Sequence, residues 1–148
     1  MPRLRLPANV AHLPDAARFV AAAAAQAGLD AAAQAAAQLA LEEAFVNVCR
    51  YAYRGPQAAE PAADPPGDVE LRCAPQAGAL HLELADQGVP FDPLAQPAPD
   101  FGLPIEQRVV GGAGIPLIRA MADAVAYRRE GPRNVLRMTF RNAADRTP

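Results

Sequence analysis

Aromatic side chains make up only 5% of the 148 residues and there is no tryptophan, so the core has few large anchors and must be assembled from leucine, valine and isoleucine. Charge of one sign is also scarce: the net charge is -2 and no block of like charge stands out. That argues against nucleic acid, because binding phosphates needs a concentrated basic surface. Long apolar runs are missing as well. The richest stretch, residues 20–25, is short and alanine-heavy, far from the roughly 20 residues that span a bilayer. Arg3 and Arg5 have no apolar segment behind them, so no signal peptide is expected and the cytoplasm is the default compartment. The two cysteines, Cys49 and Cys73, lie far apart without a CxxC or a paired histidine, and read as buried structural thiols. No internal repeat is visible.

What is present is alanine, which inflates the hydrophobic fraction to 51% and favours helix wherever it clusters, since it loses no side-chain entropy there. The length suits one domain over residues 1–148. Residues 3–6 alternate charged and apolar side chains and predict a short strand ending at Pro7. A helix follows over 13–27, with Pro14 and Asp15 in its first turn and Gly28 closing it. Asp30 is suited to cap a second helix over 31–53, which stops at Gly55-Pro56. A Pro/Ala/Asp-rich stretch to Gly67 reads as a mobile loop of about residues 55–67. Residues 69–74 and 79–85 alternate around a turn at 75–78, a hairpin signal. The proline-rich stretch 90–104 is neither regular helix nor central strand. A helix over 115–122 and a last hairpin, 124–129 with 135–141, complete an α+β layout. It is a two-layer arrangement: one mixed, mostly antiparallel sheet covered on one face by helices.

Three segments have the residue types for chemistry. On the second helix, Leu41, Ala44, Phe45, Val48 and Ala52 form an apolar stripe, and Glu43 and Asn47 stack one turn apart on an edge away from it. A carboxylate beside an amide oxygen suits Mg²⁺ and a nucleophile, and equally suits a solvated helix face. Asp86-Gln87-Gly88 closes a predicted strand, so Asp86 can accept a hydrogen bond from a ligand's amine while Gly88 admits close backbone approach; an ordinary Asp-x-Gly turn has the same form. Gly111-Gly112-Ala113-Gly114 opens a helix, and exposed N–H groups at a positive helix end suit phosphate, although a hinge fits too. No Lys-Ser/Thr follows, so this is not a P-loop.

In this order and spacing, the three segments resemble the GHKL ATPase superfamily, which includes histidine kinases and gyrase B. The similarity is greatest to its small anti-sigma factor serine/threonine kinases, of the RsbW and SpoIIAB type. Glu43 with Asn47 resembles the N-box. Residues 86–93 resemble the G1 box, Gly112-Ala113-Gly114-Ile115 resembles the G2 box, and residues 91–111 stand where relatives have the ATP lid. Tyr51 stands where the branch often has histidine, and Asn134 where a threonine is common. The resemblance implies the Bergerat-type ATP-binding fold, with ATP and Mg²⁺ as cofactors. It makes Glu43 the general base, Asn47 the Mg²⁺ ligand and Asp86 the partner of the adenine amine. It makes Gly88, Arg108, Gly112, Ala113, Gly114 and Ile115 further nucleotide contacts. It also implies a STAS-domain antagonist as phosphorylation substrate, a sequestered sigma factor and a homodimer, with no nucleic acid or membrane partner. The rival expectation is a non-catalytic, nucleotide-dependent binding module of a partner-switching system. Asp100-Phe101-Gly102 mimics a protein-kinase signature, but no accompanying HRD- or VAIK-type segment is present.

Overall fold

A computed structural model describes residues 1–53, 67–95 and 114–145 of the chain. The N-terminal alternation forms β1 (Arg3–Pro7), and a 3-10 turn (Val10–His12) leads into α1 (Leu13–Gln26). Pro14 sits in the first turn of α1, where a missing N–H costs no helical bond. The chain leaves α1 through Gly28 at φ +70°, a conformation that carries no penalty without a Cβ. Asp30 then caps α2 (Ala31–Asn47), its side chain accepting the Ala33 N–H at 2.8 Å.

The second helix was expected to run unbroken to residue 53. Instead it changes winding after Asn47, and Val48–Ala52 form a π turn. The Ala52 carbonyl accepts the Val89 N–H at 3.1 Å, so the helix end is tied to the loop beyond the third strand.

The hairpin is β2 (Asp68–Gln76) and β3 (Ala79–Asp86), with a tighter turn than expected, Ala77–Gly78. Pro75 therefore lies inside a strand. The Cys73 N–H points toward β1 and reaches Pro2 O at 3.1 Å, so the Pro75 nitrogen, two residues on, points the same way but past the end of β1. No ladder bond is lost there. A 3-10 turn (Pro93–Ala95), α3 (Gly114–Met121), β4 (Ala124–Glu130) and β5 (Arg133–Arg141) follow.

The strands are ordered β1-β2-β3-β5-β4 and every pairing is antiparallel, so the mixed component expected of the sheet is absent among the described residues. The helices pack on one face, where Leu71, Leu82, Leu84, Met138 and Phe140 meet Val20, Leu41, Phe45 and Ile118. Burying each such side chain contributes about 1.5–3 kcal/mol. Alanines of α1 and α2 such as Ala16, Ala24, Ala33 and Ala37 are buried in the same core. Their small side chains let the helices approach closely enough for Gln38 Nε2 to donate to Ala17 O at 2.9 Å.

The opposite face carries a charged ladder. Arg72 Nε donates to Glu70 Oε1 at 2.6 Å, and Glu70 Oε2 faces Arg133 at 3.3 Å and Arg5 at 3.5 Å. Glu83 meets Arg128 at 3.0 Å and Arg72 at 3.8 Å. The Arg72 hydrogen bond holds the Glu70 carboxyl below the usual glutamate range. His81 is half-buried on this face. It shares a 2.9 Å hydrogen bond with Thr139, and burial lowers its pKa. The two cysteines are free. Cys73 is buried, as expected, with its thiol pushed up to about 12, whereas Cys49 is only half-buried, with its thiol pushed up to about 11.

Candidate functional site

Where the ends of α2, β3 and β5 converge with α3, the apolar layer leaves a cavity of about 90 Å³. That is several times the roughly 10–15 Å³ one water needs, so it is more than a packing defect. Its walls are largely apolar: Ala44 and Val48 from α2 and the π turn, Leu84 from β3, Leu136 from β5, and Ile115 from α3. Tyr51, Phe91 and Tyr127 add flat rings, and the polar groups reaching it include Asn47, Asp86 and Asn134.

Asp86 ends β3 on the same side as Leu82 and Leu84 and is 7% exposed. Its Oδ1 accepts the Gly88 N–H and the Asn134 Nδ2–H, each at 2.9 Å. Its Oδ2 has no partner among the described residues. Gly88 is required by space: a Cβ there would lie 2.1 Å from the Ala52 carbonyl oxygen. Asn134 is the cross-strand partner of Asp86 in the β3–β5 register. It also donates to Val89 O at 2.9 Å. Its Oδ1 accepts from Tyr127 Oη at 2.6 Å, Phe91 N at 3.1 Å and Arg129 Nη1 at 3.2 Å.

Across the cavity, Asn47 is half-buried at the last residue of α2, beside the first turn of α3, which opens at Gly114 and presents Ile115. The first N–H groups of a helix have no partner within it and carry partial positive charge. Glu43 is half-buried one turn before Asn47 on α2 and does not line the cavity. Arg108, Gly112 and Ala113 lie outside the described residues, as do Gly111, Asp100-Phe101-Gly102 and all but the first five residues of the expected lid. No group of three His, Cys, Asp or Glu that could hold a metal occurs among the described residues.

The fold thus brings Asn47, Asp86 and Ile115 around one cavity, with Gly88 holding the Asp86 turn. Sequence reasoning missed the site roles of three residues. Tyr51 and Asn134 registered only as departures from a pattern, and Tyr127 belongs to no motif. The signal for Asn134 is its register opposite Asp86, which needs β3 and β5 to be neighbours. Behind the site, Tyr53 Oη donates to Asp68 O and accepts the Gln87 N–H at 2.9 Å, and burial raises its phenol pKa.

Residues 6–140 match the family model of the histidine kinase-like ATPase domain. No curated protein matches the chain. Among solved structures, it is similar to the RsbU and RsbW domains of a Mycobacterium tuberculosis protein, at 17% identity and a TM-score of 0.51. That likeness covers 95% of this chain but only 32% of the other, so the chain spans about a third of that protein's length and shares its fold. The Acinetobacter baumannii histidine kinase AdeS is also similar, at 12% identity and a TM-score of 0.48, over 97% of this chain and 68% of that one. No helix among the described residues is long and apolar enough to cross a membrane. With a family match over nearly its whole length and an antiparallel sheet covered on one face by helices, the chain belongs to the histidine kinase-like ATPase domain family, whose members are built to bind ATP.

Proposed function

We propose that this domain binds Mg²⁺-ATP in the cavity and transfers the terminal phosphoryl group to a serine or threonine of a STAS-type protein partner. One observation carries the nucleotide reading: among the described residues, the buried Asp86 carboxylate has two donors at Oδ1 and none at Oδ2. A buried acceptor without a donor costs about 1–3 kcal/mol, and the exocyclic amine of adenine supplies that donor. The apolar walls and the rings of Tyr51, Phe91 and Tyr127 suit a flat base.

At the other end, the Asn47 amide oxygen is of the type Mg²⁺ accepts among its oxygen ligands. Asn47 would help hold the ion there, and the chemistry the ion would supply is neutralisation of the phosphates. The N–H groups that open α3, with Gly112, Ala113 and Arg108, complete the phosphate contacts in this reading. Glu43 takes the proton of the attacking hydroxyl. Most of the rate then comes from positioning and charge stabilisation rather than from further side chains. In the same reading residues 1–148 act as a single domain and as a homodimer in the cytoplasm. A sigma factor is held once the antagonist is phosphorylated.

Incubation with labelled ATP and STAS proteins tests this. Glu43→Ala is expected to keep ATP affinity and to lose phosphoserine formation; equal transfer by the variant removes Glu43 as the base. A second reading, a nucleotide-dependent binding module without transfer, draws support from Glu43 not lining the cavity. ATP binding by calorimetry without transfer to any STAS protein would favour it.

A further inference from the structure

We infer that Asn134 is the specificity-determining residue of the base pocket, selecting a 6-amino purine by positioning Asp86 rather than by touching the base; this rests on the reading of Asp86 as the adenine acceptor. A carboxamide has two N–H donors and one oxygen acceptor, and Asn134 uses all of them. Both donors are taken, by Asp86 Oδ1 and Val89 O. The oxygen faces three donors, from Phe91, Tyr127 and Arg129. Flipping the amide would set its oxygen against two acceptors and its NH₂ against three donors, so a single orientation is compatible with its neighbours. Nothing is left over for a ligand.

The consequence falls on Asp86. With Oδ1 gripped by Gly88 and Asn134, the carboxylate cannot rotate freely, and Oδ2 is its one open acceptor among the described residues. Arg129 strengthens this arrangement from behind. Its guanidinium polarises the Asn134 carbonyl, which makes the Asn134 N–H groups better donors to Asp86. Arg129 also donates to Gly88 O at 3.0 Å, fixing the turn that supplies the other donor. An acceptor-only oxygen pairs with a 6-amino group but meets the 6-oxo group of hypoxanthine with lone pair against lone pair. Discrimination between purines follows from that mismatch.

Calorimetry of ATP and inosine triphosphate binding tests this on the wild type, Asp86→Asn, Asn134→Leu and Arg129→Met. The wild type is expected to prefer ATP. Asn134→Leu should lower the ATP-to-inosine-triphosphate affinity ratio about tenfold, the equivalent of one mismatched buried hydrogen bond. Arg129→Met removes an exposed guanidinium without touching the core and should lower the ratio about threefold. A merely structural role for Asn134 would weaken both nucleotides together and leave the ratio unchanged, which would overturn the inference. If Asn134→Leu does not fold, a wild-type ratio in Arg129→Met overturns it alone. Asp86→Asn separates the two readings. A collapsed ratio there, with wild-type ratios in the other variants, rejects only the role of Asn134. An unchanged ratio in Asp86→Asn rejects the adenine assignment together with this inference.

Discussion

On the open face of the sheet, Glu70 and Glu83 each meet arginines at both carboxylate oxygens, whereas on the helix-covered face the described residues meet Asp86 at one oxygen only. All three carboxylates are buried to a similar degree, at 8%, 6% and 7% exposure, so burial does not distinguish them. Completeness of pairing does. A saturated buried charge is held by its own chain and belongs to the architecture. A buried acceptor left with one free oxygen beside an apolar cavity is poised for a donor from outside. Asn134 sharpens the contrast, because it saturates itself while leaving Asp86 half-satisfied.

The largest effect is expected at Gly88. A methyl group there must displace the Ala52 backbone carbonyl, so Gly88→Ala should destabilise the fold by about 3 kcal/mol. It should also loosen the Asp86 turn. Chemical denaturation and nucleotide titration of the same variant would register both effects; an unchanged unfolding midpoint would mean the π turn yields freely. Next in size is an exchange of effects between the faces. Asp86→Asn is expected to cost about 1–3 kcal/mol of ATP affinity with a smaller change in stability. Glu83→Gln is expected to lower stability by about 1 kcal/mol and leave ATP affinity alone. Were Glu83→Gln to weaken ATP as much as Asp86→Asn does, the division between the faces would not hold. The smallest effect is acid sensitivity. Arg72 and Arg133 hold the Glu70 carboxyl below the ordinary value of 4.5, so the unfolded chain takes up that proton first as pH falls. Glu70 thus stabilises the fold above about pH 4.5, and this contribution fades as pH drops through the folded value. Unfolding midpoints from pH 6 to 3 should fall more for the wild type than for Glu70→Gln.

Much of this was legible in the sequence because it is local. Period-two alternation gave both hairpins, Gly28 and Asp30 punctuated the helices, and Asp86-Gln87-Gly88 marked the turn at which one wall of the cavity ends. What escaped depends on contacts distant along the chain. The π turn is an α-helical continuation by local pattern, and it departs from that pattern where Ala52 meets Gly88 and Val89. Asn134 looks like a residue following a turn until β5 is known to insert between β3 and β4. Only then does it stand opposite Asp86, and no periodicity reports a register across 48 positions.

The Tyr53 hydroxyl has a further consequence for how the chain tolerates change. By bonding to Asp68 O, it clasps together the two ends of the segment 54–66, and the Ala8 N–H holds the same neck by donating to Gly67 O at 2.9 Å. A change at Tyr53 would therefore be felt at the start of β2 and, through the Gln87 N–H that the same hydroxyl holds, in the Asp86 turn.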